Sequence, residues 1–154
     1  MSAALSIYIA APVDRVFDWF KDPRNWLTLN PAAARREEIT HAHVTPEGLG
    51  TFHVWAMKPL PGVRFEIFGV FTDFVPNRQI TCRWSTAFEG TETYSFDVEG
   101  SGTRVTLERD RRSFWRLRPV DALVDRFEGR ESHQFLGRLK DFLESSTGAT
   151  APSG

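Results

Sequence analysis

The stretch Pro119-Val-Asp-Ala-Leu-Val-Asp-Arg-Phe127-Glu-Gly-Arg-Glu131-Ser-His-Gln134-Phe-Leu136-Gly-Arg-Leu139-Lys-Asp-Phe-Leu-Glu144 decides the fold, because it is the chain's long apolar helical run. Pro119 stands at a first-turn position, where its missing N–H costs nothing, and Val120, Leu123, Val124 and Phe127 recur at helical spacing. A helix of this length reaches roughly 39 Å, enough to cross a small domain. Its apolar stripe re-phases by roughly 80–100° in the second half, where Phe135, Leu136, Leu139, Phe142 and Leu143 carry it. Gly129 sits in the gap at a cost of about 1 kcal/mol. Glu131 and Gln134 fall near the middle of the early stripe and are expected to point inward. Either Glu131 pairs with a nearby Arg, or this half-helix roofs a cavity with polar contents.

Everything upstream reads as a surface that holds this helix. Leu5, Ile7 and Ile9 alternate with Ser6 and Tyr8 as a strand. Pro12 then opens a short helix with Val13, Val16, Phe17 and Phe20 on one face, closed by Asp22-Pro23. Trp26, Leu27 and Leu29 suggest a second short helical turn. Strand-like segments follow at 36–45, 50–58, 62–75, 79–86, 91–99 and 103–112, bounded by Gly, Pro, Asn or Ser.

Side chains of paired strands share a face only if their parities agree. A two-residue turn at Gly100-Ser101 pairs Val98 with Thr103, Phe96 with Val105, Tyr94 with Leu107 and Glu92 with Arg109. A turn near Pro76-Asn77 sets Phe71 opposite Cys82 and Gly69 opposite Trp84, giving the indole room, with Asp73 beside Ile80. A 58–62 loop pairs Met57 with Val63, Trp55 with Phe65 and His53 with Ile67. One concave face then collects Trp55, Met57, Phe65, Ile67, Phe71, Trp84, Tyr94, Phe96, Val105 and Leu107. Its polar minority is His53, Asp73, Glu92, Arg109 and His43. The expected class is α+β: a curved antiparallel sheet of six to seven strands around one long C-terminal helix, with two short helices after the first strand.

Composition sets the bounds on function. The 154 residues are 41% hydrophobic and 25% charged with a net charge of −1, which suits one globular domain with a true core. Thirteen Phe and five Trp exceed what core packing requires and point to an aromatic-lined pocket. No segment is strongly basic, which argues against nucleic acid as a partner. The single cysteine, Cys82, excludes an intramolecular disulfide and fits a reducing compartment. The run from Leu5 to Pro12 is short and has no Lys or Arg before it, so it is not read as a signal peptide. No other stretch approaches a membrane span. These features give the expectation of a cytoplasmic protein with one domain over 1–144 and a disordered small-residue tail over 145–154.

Three local patterns carry a family resemblance. Ile7-Tyr-Ile-Ala-Ala-Pro-Val-Asp-Arg-Val-Phe17 resembles the opening strand and Ala-Pro-x-x-x-Val-[Trp/Phe] start of the SRPBCC superfamily, also called START-like or helix-grip. Phe71-Thr-Asp-Phe-Val-Pro-Asn-Arg-Gln-Ile80 is similar to its strand–Pro–Arg–strand turn, and Gly102-Thr-Arg-Val-Thr-Leu107 to its Gly-Thr-x-Val-x-Leu element. The resemblance spans about 3–144 and is strongest to the polyketide cyclase/dehydrase and lipid-transport branch. It implies a hydrophobic small molecule, aromatic or lipid-like, held between sheet and long helix, and in a minority of members ring closure or hydrolysis there. Fold carries that implication only by analogy.

Within that frame, Glu92 and Arg109 either orient a ligand's carboxylate or phenolate or form a cross-strand salt bridge. Arg109, Tyr94 and His53 are the candidate catalytic groups of a cyclase- or aromatase-like enzyme, with Tyr94 a weak acid and His53 a base. Trp55, Met57, Phe65, Ile67, Phe71, Trp84, Glu92, Phe96, Leu107, Phe127 and Glu131 are the candidate ligand-binding residues. His41, His43 and His53 make a weak zinc signal with no third ligand identified, so no metal and no cofactor is expected. Cys82 reads as an inert buried thiol. A protein-interaction role, through Phe68, Val70 and Phe74 on the outer face, is the third reading, and a homodimer stays open.

Overall fold

The computed structural model describes residues 3–29, 38–86, 89–112 and 118–149, with side chains described except at 3, 27, 59–60, 118–121, 123–125, 127–128 and 146–149. Strand β1 (Ala3–Ile9) leads into helices α1 (Val13–Phe20) and α2 (Pro23–Leu29). Strands β2 (Glu38–His43), β3 (Phe52–Leu60), β4 (Val63–Val75), β5 (Gln79–Ser85), β6 (Glu89–Glu99) and β7 (Gly102–Arg112) follow, then α3 (Arg118–Ala149). The seven strands form one antiparallel sheet in the order β1-β7-β6-β5-β4-β3-β2, the α+β helix-grip arrangement expected of the sequence. Helix α3 continues through Ala149, past Glu144 where the apolar pattern ends; residues 150–154 lie outside the described residues.

The β6–β7 hairpin has the register that parity dictates, with Phe96 opposite Val105, Tyr94 opposite Leu107 and Glu92 opposite Arg109. Its two-residue turn needs a left-handed first residue, and Gly100 supplies it at φ 62°. Phe71 lies opposite Cys82 and Gly69 opposite Trp84, as expected.

Three pairings differ from the parity reading. Strand β3 runs on to Leu60, so Met57 faces Phe65, Trp55 faces Ile67 and His53 faces Gly69. The slip is two residues, which keeps every side chain on its expected face. A bulge between Phe71 and Asp73 reverses parity, setting Asp73 opposite Thr81 and Phe74 opposite Ile80. Asp73 therefore leaves the concave face and Phe74 joins it, packing edge-on against Phe17 with ring centroids 5.1 Å apart. In β2 a bulge between Ile39 and His41 places Ala42 opposite His53 and His43 opposite Phe52, so His43 is on the convex face.

The core lies between the concave face and the two short helices. Phe17 and Phe20 of α1 meet Phe96 at 5.3 and 5.1 Å, and Trp26 of α2 stacks on Phe71 at 5.8 Å. Trp19, on the flank of the expected α1 face, is also buried and meets Phe20 at 5.3 Å. Pro23, expected only to stop α1, begins α2, where a proline's fixed φ suits the first turn. Among the described side chains of α3, Ser132, Leu136, Leu139 and Leu143 are buried. That spacing turns Gln134 to solvent, contrary to the inward position expected of it, and leaves Glu131 half-buried. Phe142 is also mostly outside. The end of α3 is tied to β1: Lys140 Nζ donates to the Tyr8 carbonyl at 2.9 Å, and the Ala10 N–H donates to Glu144 Oε1 at 2.9 Å.

Phe20 is fully buried against five aromatic rings, whereas Val98 is 70% exposed at the hairpin end. Phe20→Ala is expected to lower unfolding free energy by about 3–5 kcal/mol and Val98→Ala by less than about 0.5 kcal/mol in urea melts. Similar losses in both would contradict this placement of the core.

Candidate functional site

Beside the aromatic core, the concave face carries a polar cluster drawn from β7, β6, β5 and β3. Arg109 on β7 and Glu92 on β6 are register partners, and their side chains form an ion pair at 2.7 Å. They are 28% and 16% exposed, so the pair is only partly screened by solvent. The Tyr94 hydroxyl, two residues along β6, donates to the second Glu92 oxygen at 3.1 Å. Cys82 on β5 lies opposite Glu92. Glu92 is thus the hub: its carboxylate holds Arg109 and Tyr94 directly, and its field reaches Cys82 and His53.

Burial dominates the ionisation of the cluster. It pushes the Tyr94 phenol well above its ordinary value, with Glu92 adding to the rise and Arg109 opposing it. Burial, then Glu92, raises the Cys82 thiol in the same way, so neither group supplies an anion near neutral pH. His53 moves the other way: burial lowers it to about 4, while Glu92 opposes the shift. The imidazole is therefore neutral at pH 7, and its Nδ1 is buried without a hydrogen-bond partner.

Two glycines give the face its shape. The His53 ring lies over Gly69, where a Cβ would overlap it, and the Trp84 indole lies over its register partner Gly90, where a Cβ would overlap that ring. Gly69 thus makes room for the imidazole, and the indole space expected of it comes from Gly90. Trp26 meets the His53 ring in a T-shaped contact with centroids 5.6 Å apart, and its own indole donates to the Phe20 carbonyl at 3.0 Å.

The structure brings Arg109 and Tyr94 onto one carboxylate, that of Glu92, while His53, on β3, is linked to it only through its electrostatic field. Trp55, Met57, Ile67 and Trp84 are half-buried on the same face, and the buried indole nitrogens of Trp55 and Trp84 have no hydrogen-bond partner. Phe71, Phe96 and Leu107 are closed into the core under α1 and α2. Phe65, near the β3–β4 turn, is 49% exposed. Glu131 is half-buried on α3, while the Phe127 side chain lies outside the described residues. Trp26 and Gly90 went unnoticed in the sequence as site residues. Trp26 followed no strand parity, and the β5–β6 connection carries no Gly or Pro to fix the Trp84–Gly90 register. His41 and His43 face away from His53, and no metal-binding group of three or more His, Cys, Asp or Glu occurs among the described residues. The convex face carries a shallow groove of about 260 Å³ lined by Phe52, Phe68, Val70, Arg83 and Glu89 among others.

A curved seven-stranded antiparallel sheet, a long terminal helix and two short helices after the first strand together define the helix-grip fold. The sequence matches the polyketide cyclase/dehydrase and lipid transport family over residues 1–144, and the chain belongs to that family. Among solved structures it resembles a Chromobacterium violaceum protein at TM-score 0.70 and 16% identity, covering 94% of this chain and 98% of that one. A Thermus thermophilus protein aligns at TM-score 0.69 and 19% identity, covering 95% and 99%. An Arthrobacter aurescens protein aligns at 0.73 and 14%, covering 94% and 86%. At these identities the likeness is one of fold. No curated protein matches the chain. No described helix is long and apolar enough to cross a membrane.

The His53 shift has a measurable consequence. Below about pH 6.5 the unfolded chain binds a proton that the native imidazole refuses until about pH 4, so stability falls across that window as pH drops. The loss tends toward roughly 3 kcal/mol at full protonation. Urea melts at pH 7 and pH 4.5 should show wild type losing more stability than His53→Gln; equal losses would mean that His53 is not held neutral.

Proposed function

We propose that this protein binds a hydrophobic small molecule, aromatic or lipid-like, against the concave face between the sheet and α3. The observation that carries the reading is the half-buried surface of Trp55, Met57, Ile67 and Trp84, continuous with the Glu92 cluster. Apolar walls with a few fixed polar groups are the composition of small-molecule sites. Burying an aromatic ligand on such side chains yields about 25 cal/mol for each Å² of apolar area removed from water. Membership of a family described by polyketide cyclisation and lipid transport supports the same ligand class. In this reading Arg109, Tyr94 and His53 form the polar lining. The Tyr94 hydroxyl is already donated to Glu92 and Arg109 is already paired with it, which favours orientation of a ligand over proton transfer to it.

The test is titration with N-phenyl-1-naphthylamine, a neutral probe that fluoresces in apolar surroundings. Saturable binding is expected, weakened at least about tenfold in Ile67→Trp, which fills the concave face, and unchanged in Phe68→Ser, which alters the convex groove. Binding lost in Phe68→Ser but kept in Ile67→Trp would put the site on the convex face.

A further inference from the structure

The convex side of the sheet is built in two halves. On β5, β6 and β7 it carries Thr81, Ser85, Thr93, Ser95 and Thr106, the polar surface of an antiparallel sheet that faces water. On β3 and β4 the same side carries Phe52, Val54, Phe68 and Val70 in two adjoining rungs, Phe52 opposite Val70 and Val54 opposite Phe68. Phe52 is 37% and Phe68 44% exposed. We infer that this apolar half of the convex face is where a second copy of the chain docks, about a two-fold axis.

A two-fold contact requires a patch that matches itself. An axis through the centre of the four-residue square carries each Phe52 onto Phe68 of the partner subunit and each Val54 onto the partner's Val70, so apolar meets apolar throughout. Relief agrees with this pairing, because Phe68 stands as a ridge beside the groove of about 260 Å³ that Phe52 helps to wall. Each copy thus offers both the ridge and the hollow.

Charge on the flanks matches as well. The same rotation lays β5 of one copy over β2 of the other. Arg83 on β5 has a side chain 58% exposed and is held by Glu89 at only 3.4 Å. Strand β2 carries Glu38 and no Lys or Arg, so the rotation brings Arg83 toward Glu38 of the partner subunit, and does so twice. A partner drawn by one sign of charge, an anionic membrane or a nucleic acid, finds no such field here: Arg64 is paired with Glu66 at 3.1 Å, Arg83 with Glu89, and the chain's net charge is −1. With strands about 4.8 Å apart and rungs about 6.8 Å apart, four strands by three rungs give a footprint of roughly 400 Å² on each copy. That size belongs to weak, reversible association.

Sedimentation velocity on the full chain from about 1 to 300 µM should show a monomer–dimer equilibrium with a micromolar dissociation constant. Phe68→Ser should weaken it at least about tenfold. Arg83→Glu and Glu38→Arg should each weaken it about fivefold, and the two together should restore it to near the wild-type value, because the exchanged charges meet again only across this axis. All four side chains changed are on the surface, and circular dichroism confirms that the variants are folded. Wild type that stays monomeric at the top concentration, a dimer indifferent to Phe68→Ser, or a double charge exchange no tighter than its single variants would each overturn the inference. The concave face takes no part in this contact, so none of these results bears on the proposed ligand site.

Discussion

The packing of α1 and α2 against the sheet sets the terms for the rest of the molecule. A seven-stranded antiparallel sheet presents an apolar concave face too wide for one helix to cover. Phe17, Phe20 and Trp26 close one region of it against Phe71, Tyr94 and Phe96. Ring pairs of this kind contribute beyond their buried area and fix geometry as well as stability. Where that aromatic plug ends, the side chains change character: Tyr94 turns its hydroxyl to Glu92, and Trp26, stacked on Phe71, also meets His53 in an edge-type contact. The proposed site begins at this border, so core and site share residues and cannot be varied independently.

Electrostatics at the border follow from the same burial. Glu92 is the centre of a self-balanced group whose other members are held in their neutral forms, apart from the Arg109 that pairs with it. A paired charge surrounded by neutral donors is a rigid, weakly reactive environment, suited to holding a ligand in one orientation. Removing Glu92 alone would leave a half-buried guanidinium without its carboxylate, so the pair is better understood as one unit than as two separate ligand contacts.

Much of this was legible in the sequence because strand parity is a strict rule. The Glu92–Arg109 and Tyr94–Leu107 pairings, and the concave location of Trp55, Ile67 and Trp84, follow from alternation and turn residues alone. The two-residue slip of β3 against β4 did no harm, since an even shift preserves faces. Odd insertions were invisible: the bulges at 71–73 and 39–41 exchanged Asp73 for Phe74 and turned His43 outward. The roles of Gly69 and Gly90 were beyond parity as well, because which ring leans over which glycine depends on side-chain rotamers. Of the stripe read for the second half of α3, Leu136, Leu139 and Leu143 are buried, but Gln134, placed inward by carrying the first-half phase onward, faces solvent; the side chains of Val120, Leu123, Val124 and Phe127 lie outside the described residues.

The central claim is that the concave face, and not the convex groove, receives the ligand. The most direct measurement is an intermolecular NOE experiment on methyl-labelled protein saturated with N-phenyl-1-naphthylamine. The account predicts contacts from the probe to the methyls of Ile67 and Met57. Contacts to Val70 with none to Ile67 or Met57 would place the ligand on the convex face and contradict it.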